Sequence, residues 1–491
     1  MIGGLELLVG LPLLGAGAIG LGPGPRTDRA AGRLGLVIGT ATLMLSVWAW
    51  VEGHHRLGGF ALQSDETWVG AIGVHWRLGV DSLSAPLVVV TALLAWCCLV
   101  SLLRRSPECG PSRHLVALVL LVEAASLGTF VALDLIVFFV FFELVLVPMW
   151  FVIADWGDAD DPVGRRQAAT RFLVVTVTGS ALVLVAFLLL HRSTGTFDIP
   201  TILRVGGQIP HTTQLAVAVL LMLGFGAKVP MWPLHFWLPD AHSKAPTVGS
   251  VLLAGVLLKL GTYGLLRLWA GAIPSGAREV SPYLAALGVV GILYGALACL
   301  AQRDLKRLIA YSSVGHMGFV LLAVSTLTRQ GVLAANFANV AHALVTGLLF
   351  FVVGAVKDRA GGTDFETVGR GLYGRAPKLA AVFAFGAVAS LGLPGLAGFW
   401  GEMLAMLSAY SPAPGLSVST YRILMVLAGV GAVLTTAYFV VAVRRVCQAV
   451  PELPSVVDVD GDEWVAWMPL GVMTLVLGLA PGLLLWSGGT P

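Results

Sequence analysis

Charge is what this sequence lacks most. Asp, Glu, Lys and Arg make up 12% of its 491 residues, against roughly 25% in soluble domains. The net charge of +3 is small and scattered, which excludes a basic face for nucleic acid. Cysteine is scarce too. Cys97, Cys98, Cys109, Cys299 and Cys447 form no CxxC pair and no Cys/His cluster, so no iron–sulfur or zinc site is legible. No GxGxxG or P-loop stands in a strand–turn–helix setting, which excludes a recognisable nucleotide site. Long polar stretches are missing as well. The longest polar connections, 52–80, 191–212 and 357–376, are each too short to bury a core of their own. The first apolar run, 2–22, has no basic segment before it and reads as a retained helix rather than a cleaved signal.

Long apolar runs are what the chain has instead. Hydrophobic residues make up 57% of it, and stretches of about 20 residues recur throughout, each able to cross roughly 30 Å of hydrocarbon. The pattern predicts an all-α polytopic membrane protein with fourteen transmembrane helices. They fall near 2–22, 31–51, 81–103, 113–131, 133–155, 168–190, 213–236, 245–271, 281–302, 305–327, 331–356, 377–408, 422–446 and 464–486. With the N-terminus outside, the inner loops and their edges hold 20 of the 30 Lys and Arg residues, which predicts that both termini face outward. The tracts Asp155, Asp158, Asp160, Asp161 and Asp458, Asp460, Asp462, Glu463 read as solvated loops, with a calcium site as the alternative for the second.

One stretch organises the rest, MLGFGAKVPMWPLHFWLPDAHSKAPTVGSVLLAGVLLKLGTYGLL over 222–266. It puts Lys228 and Lys259 in apolar surroundings, where a lysine costs roughly 2.5–3.5 kcal/mol even on the lenient insertion scale. Pro230 and Pro233 break span 7 beside Lys228. Broken backbone at membrane depth belongs where it is buried in protein or lines a wet cavity. Span 12 repeats the device with Leu393-Pro394-Gly395 and, beyond it, Glu402. Two interrupted spans five apart predict inverted five-helix repeats over 113–272 (spans 4–8) and 281–446 (spans 9–13), flanked by helices 1–3 in 1–112 and helix 14 in 464–491.

The other ionisable groups complete a series. Glu143 lies mid-span among Phe139, Val140, Leu146 and Val147, with Lys228 as its expected partner across spans 5 and 7; a structural ion pair is the plainer reading. Glu123 is a further acid near the middle of span 4. His316 and His342 lie in apolar spans and could bridge Lys259 and Glu402 through water, or be satisfied core histidines. His235 and His242 flank the break in span 7, as a proton uptake route or as side chains reaching the interface. Acids, bases and imidazoles strung through a bundle read as a proton relay.

PLHFWLPDAHSKAPTVGSVLLAGVLLKLGTYGLLR resembles the signature of the antiporter-like subunits of respiratory complex I. ALDLIVFFVFFELVLVPMW, RDLKRLIAYSSVGHMGFVLL and SLGLPGLAGFWGEM extend the likeness to spans 4–12. Glu402, in place of a lysine, and the lack of a long C-terminal lateral helix resemble the M-type branch rather than the L-type. The resemblance implies proton translocation driven by quinone reduction elsewhere in NADH:quinone oxidoreductase. It implies Glu143 and Lys228 as the coupling pair, Lys259 as the central switch and Glu402 as the outlet group, with His316 and His342 between. It also implies that NADH, FMN, iron–sulfur clusters and quinone belong to other subunits, and that the neighbours are L- and N-type chains in a bacterial plasma membrane. Lys244, where many relatives carry a neutral or acidic residue, and Gly315, where serine is common, depart from the pattern. The alternative is a subunit of a multi-subunit cation/proton antiporter, in which a lysine at the Glu402 position is the commoner choice.

Overall fold

The structure, a computed structural model, describes residues 3–21, 27–54, 59–104, 107–448 and 456–485. Arg26, Arg56 and Arg105, which entered the charge count, and the end of the last anticipated helix, 486–491, lie outside the described residues.

In chain order the helices are α1 Gly4–Gly20, α2 Asp28–His54, α3 Ala85–Arg104, α4 Ser112–Val131, α5 Leu135–Leu144, α6 Leu146–Trp156, α7 Pro162–Thr194, α8 Ile199–Val205, α9 His211–Lys228 and α10 Trp237–Lys244. Then come α11 Thr247–Leu252, α12 Leu258–Gly264, α13 Ala270–Ala272, α14 Pro274–Ala301, α15 Leu305–Ser325, α16 Arg329–Ala360, α17 Phe365–Val368, α18 Leu372–Arg375, α19 Pro377–Ser390, α20 Ala397–Tyr410, α21 Val418–Cys447, α22 Gly461–Leu479 and α23 Gly482–Leu485. Ten of the described helical stretches are long and apolar enough to cross a membrane. α1 and α19 are apolar but shorter.

An all-α reading misses one feature. Strands β1 Ala61–Val69 and β2 Val74–Val80 form an antiparallel hairpin inside the connection anticipated as a plain loop. Its backbone is tied to the helix starts behind it, because Leu133 N–H donates to the Arg77 carbonyl at 2.9 Å. Arg77 also binds the carboxylates of Asp65 and Asp198.

Span 7 breaks where its prolines demand. α9 ends at Lys228, and the chain resumes as a short turn, Leu234–Phe236, followed by α10. Span 12 breaks between α19 and α20, around Gly392 and Gly395, both with positive φ. Two interruptions were not anticipated. Span 5 loses a regular helical hydrogen bond at Val145, between α5 and α6, while its backbone stays helical. Pro148 accounts for it: a proline ring clashes with the carbonyl four residues earlier and supplies no N–H to it. Span 8 carries two π-helical turns, Leu253–Leu257 and Leu265–Trp269, on either side of α12. Such turns cluster at functional sites.

The chain forms two compact units. One comprises Met1–Val229, Val256–Leu284 and Leu485–Pro491; the other comprises Pro230–Gly255 and Ala285–Leu484. In the first, α1 packs on α4, α2 on α3, and α7 on both α6 and α9. Gly179 and Gly224 let α7 and α9 meet backbone to backbone, since a Cβ on either would sit within 2.8 Å of the other's carbonyl oxygen. In the second, α16 is the hub, touching α11, α15, α19, α20 and α22.

Each unit contains a short backbone bridge between two aspartates in distant loops. Asp134 pairs with Asp198 in the first, Asp304 with Asp364 in the second. In all four cases the aspartate caps the helix that follows it. The later partners lie in matching sequences, Asp198-x-x-Thr201-x-x-Arg204 and Asp364-x-x-Thr367-x-x-Arg370.

Candidate functional site: buried ionisable groups in two arrays

The first array is built on α4, α5, α9 and α12. Lys228 is 1% exposed at the last position of α9, where the helix ends on free carbonyls and a cation is welcome. Its ammonium donates to the Phe142 carbonyl at 2.7 Å and lies 3.2 Å from the centre of the Phe142 ring. Among the described residues Lys228 makes no direct ion pair with Glu143, although the Glu143 charge acts on it. The anticipated pair is therefore indirect here: Glu143 is only half-buried, beside the break at Val145, and its Oε1 has no hydrogen-bond partner. Lys259 is 1% exposed within α12, between the π turns. Glu123 is fully buried on α4, and neither of its carboxyl oxygens has a hydrogen-bond partner.

The second array is built on α10, α15, α16, α19 and α20. His316, on α15, is held at both ring nitrogens: Nδ1 lies 3.0 Å from Oε1 of Glu402, and Nε2 lies 2.9 Å from the Ser390 hydroxyl. With Glu402 ionised, Nδ1–H donates to the carboxylate and Nε2 accepts from Ser390. A proton arriving on His316 can then pass to Glu402 without movement of either side chain. The His342 ring stands 5.7 Å from that of His316. These groups line a cavity of about 30 Å³, enough for a water molecule by the usual measure of roughly 10–15 Å³. The break in span 12 fits around this carboxylate. At Gly392 φ is +80°, and a Cβ there would lie 3.3 Å from Glu402 Oε2.

His235 and His242 are buried rather than reaching an interface. His235 is 6% exposed and edges onto Tyr294 at 4.9 Å; His242 is fully buried and stacks on Phe350 at 4.5 Å. Lys244 and Gly315 belong to this unit as well; Lys244 is half-buried at the end of α10. Among the described residues no cluster of three or more His, Cys, Asp or Glu could hold a metal ion. The tract 458–463 is correspondingly a clasp rather than a cation site. Glu463 takes both Arg359 terminal nitrogens, at 2.9 and 2.7 Å; Asp460 caps α22, and Asp458 accepts from the Lys378 and Leu379 amides at 3.0 Å.

The family described as "NADH:quinone oxidoreductase/Mrp antiporter, TM" matches residues 132–435, which hold both arrays apart from Glu123. The chain belongs to this family. The chain is 37% identical over 498 residues to NADH-quinone oxidoreductase subunit M of Rhodobacter capsulatus, covering 98% of this chain and 93% of that one. Its fold matches a chain of respiratory complex I from Thermus thermophilus with bound NADH at a TM-score of 0.87 and 29% identity, over 99% of this chain and 98% of that. It also matches a chain of the Mrp complex from Dietzia sp. at a TM-score of 0.82 and 25% identity, over 98% of this chain but 51% of that.

This member of the NADH:quinone oxidoreductase/Mrp antiporter family also buries charges that the spans concealed. Arg267 donates to Asp81 at 2.6 Å and to the Tyr263 hydroxyl at 3.3 Å, and that hydroxyl donates to the Phe130 carbonyl at 3.0 Å. Lys306, 3% exposed, donates to the Ala245 carbonyl at 2.8 Å. Both lie near span ends and read in sequence as loop charges. Only the leucines on both sides of Arg267, and Leu305 before Lys306, hint at burial.

Proposed function

We propose that this chain is the M-type proton-translocating membrane subunit of a bacterial NADH:quinone oxidoreductase. It couples quinone reduction in other subunits to proton pumping through Glu143, Lys228, Lys259, His316, His342 and Glu402. Glu123, His235 and His242 are accessory to that relay. The observation that carries the reading is the His316–Glu402 hydrogen bond at 3.0 Å, inside a cavity with room for water. An imidazole seated on a carboxylate beside a helix break is a proton-transfer step ready made. The relatives named subunit M, matched end to end, favour this branch. NADH, FMN, iron–sulfur clusters and quinone are assigned to other subunits, and L- and N-type chains are the neighbours in the membrane. The chain spans the bilayer fourteen times as inverted repeats over 113–272 and 281–446, with both termini on the outer face. The matching Asp-x-x-Thr-x-x-Arg sequences and their bridges support the repeat.

The Mrp likeness favours a second reading, a cation/proton antiporter subunit. Native-gel separation of gently solubilised membranes distinguishes them. Migration of this chain in a large assembly with NADH dehydrogenase activity supports the first reading; migration with small antiporter subunits and no such activity supports the second. Within the first, E402Q and K259A in inverted vesicles should sharply reduce NADH-driven acidification. Unchanged acidification in both variants would remove the relay.

A further inference from the structure

We infer that the second unit carries a binding site for the phosphate headgroup of an anionic phospholipid, walled by Arg303, Arg370 and Arg445. The three side chains come from separate parts of the chain, namely the turn before α15, the loop between α17 and α18, and the last turn of α21. Together with Asp364, Phe365 and Glu366 they enclose a cleft of about 680 Å³. The walls are fixed by backbone. Phe365 N–H donates to the Arg303 carbonyl at 2.9 Å, Leu305 N–H donates to Thr363 at 2.8 Å, and Gly371 N–H donates to Gln448, just beyond α21, at 3.2 Å. The Arg445 guanidinium lies over the Phe365 ring, 5.4 Å from its centre. Of the two acids, Asp364 is turned to its own helix, accepting the Thr367 amide at 2.8 Å. Three guanidinium groups against two carboxylates leave the cleft positive. A guanidinium presents donors in a planar fork that suits phosphate oxygens.

The membrane-facing side of α21 says which phosphate. Its apolar window is the least buried of the ten candidate spans, at 28%. Val426, Val430, Val433 and Val440 stand exposed along it and lead to Arg444 and Arg445. A lipid with its phosphate in the cleft can lay its acyl chains along this stripe; a free phosphate gains nothing from it. Basic pockets at the membrane surface take anionic headgroups, and each basic residue contributes about 1 kcal/mol.

The inference is independent of the proton relay and is tested on the full-length chain in detergent micelles, by native mass spectrometry with phosphatidylglycerol as the probe. R303A, R370A and R445A should each weaken phosphatidylglycerol binding roughly fivefold. R166A, an exposed arginine on α7 of the other unit, should change it less than about twofold, and R445K should retain part of the affinity. Unaltered circular dichroism in each variant keeps misfolding out of the comparison. Equal losses for R166A, or equal binding of phosphatidylcholine, would reduce the cleft to general surface charge and overturn the inference. Displacement of the lipid by millimolar inorganic phosphate would assign the cleft to a free anion. A cross-link from the cleft to a neighbouring subunit, in an assembled complex lacking the lipid, would assign it to protein. Either result also overturns the lipid site.

Discussion

His316 sits between Glu402 and Ser390, and each neighbour sets a different test. Removing the acceptor in E402Q leaves the imidazole a neutral amide, so proton transfer should fall while the chain still folds and assembles. Ser390→Ala removes only the hydroxyl on Nε2, and its effect on proton pumping should be several-fold smaller. Gly392→Ala should reduce pumping in parallel with stability. It adds a Cβ 3.3 Å from Glu402 Oε2 at a φ of +80°, which costs roughly 1 kcal/mol or more in backbone strain. NADH-driven acidification in vesicles and thermal inactivation in detergent read the two effects separately. At Asp458 the test is pH. Burial pushes its carboxyl up, but the amides of Lys378, Val459 and Leu379 together hold it below the ordinary carboxylate value. A carboxyl held low contributes stability above its unfolded pKa of about 3.9, and that stability is lost as pH falls through the lower folded value. Asp458→Ala should therefore lower the thermal midpoint at pH 7, with the gap to wild type closing below about pH 4. A gap unchanged at pH 3 would mean that the aspartate charge does not hold these amides.

Among the elements, the breaks were legible wherever they depend on local chemistry. Pro230, Pro233 and the Leu393-Pro394-Gly395 run announce the interruptions of spans 7 and 12, because proline and glycine act on their own turns. Pro148 carries the same signal for span 5, but a single proline inside an apolar run reads as a tolerated residue. Pro148→Ala should restore the missing helical hydrogen bond to the Leu144 carbonyl, leaving stability equal or higher while shifting Glu143 and weakening proton pumping. Pumping at the wild-type level, with helicity raised, would detach the break from function. The π turns around Lys259 have no such local mark. They arise from packing of span 8, where every residue of the apolar window is buried. The hairpin 61–80 was missed because its charged residues, Asp65, Glu66 and Arg77, read as solvated loop. The ion pairs of Arg77 lie across the hairpin to Asp65 and to Asp198, far along the chain. The clasp between α16 and α22 was likewise invisible, since Arg359 and Glu463 are 104 residues apart and 10% and 5% exposed. Removing one partner of a buried pair costs about 3–5 kcal/mol. Arg359→Ala should therefore destabilise strongly, with Glu463→Ala adding little in the double variant, as measured by thermal inactivation. Additive losses would mean that the two act separately.

At the scale of the whole molecule, expensive residues were the readable ones. Glu143, Lys228, Lys259 and Glu402 stand out because nothing in an apolar run accounts for them. The partner of Lys228 was not readable, because carbonyls and ring faces carry no sequence signature. Lys228 is satisfied by the Phe142 backbone and ring rather than by a carboxylate at contact distance. The partition into compact units was not readable either. The segment 230–255, the second half of span 7 with the start of span 8, groups with 285–484. Sequence order had placed it with the first repeat. The two Asp–Asp bridges bear on the repeat reading. Asp198→Ala and Asp364→Ala each remove a cap worth about 1 kcal/mol, and Asp198→Ala also removes the ion pair to Arg77, so both should lower the thermal midpoint and Asp198→Ala should lower it more. A loss at one position only would speak against equivalent roles.

The bridge in the second unit also carries a consequence for biosynthesis. The Asp304 side of it is made about sixty residues before the Asp364 side, and all of α15 and α16 lies between them. At the ~5–20 residues per second of translation, the amide of Leu305 waits several seconds for its partner, the Thr363 carbonyl. For that interval the start of α15 is held by the Asp304 cap and by Lys306 and Arg307, which reach Ala245 and Asp240 in segments already made. The nascent membrane domain therefore acquires this backbone tie only after the long central helix has left the ribosome.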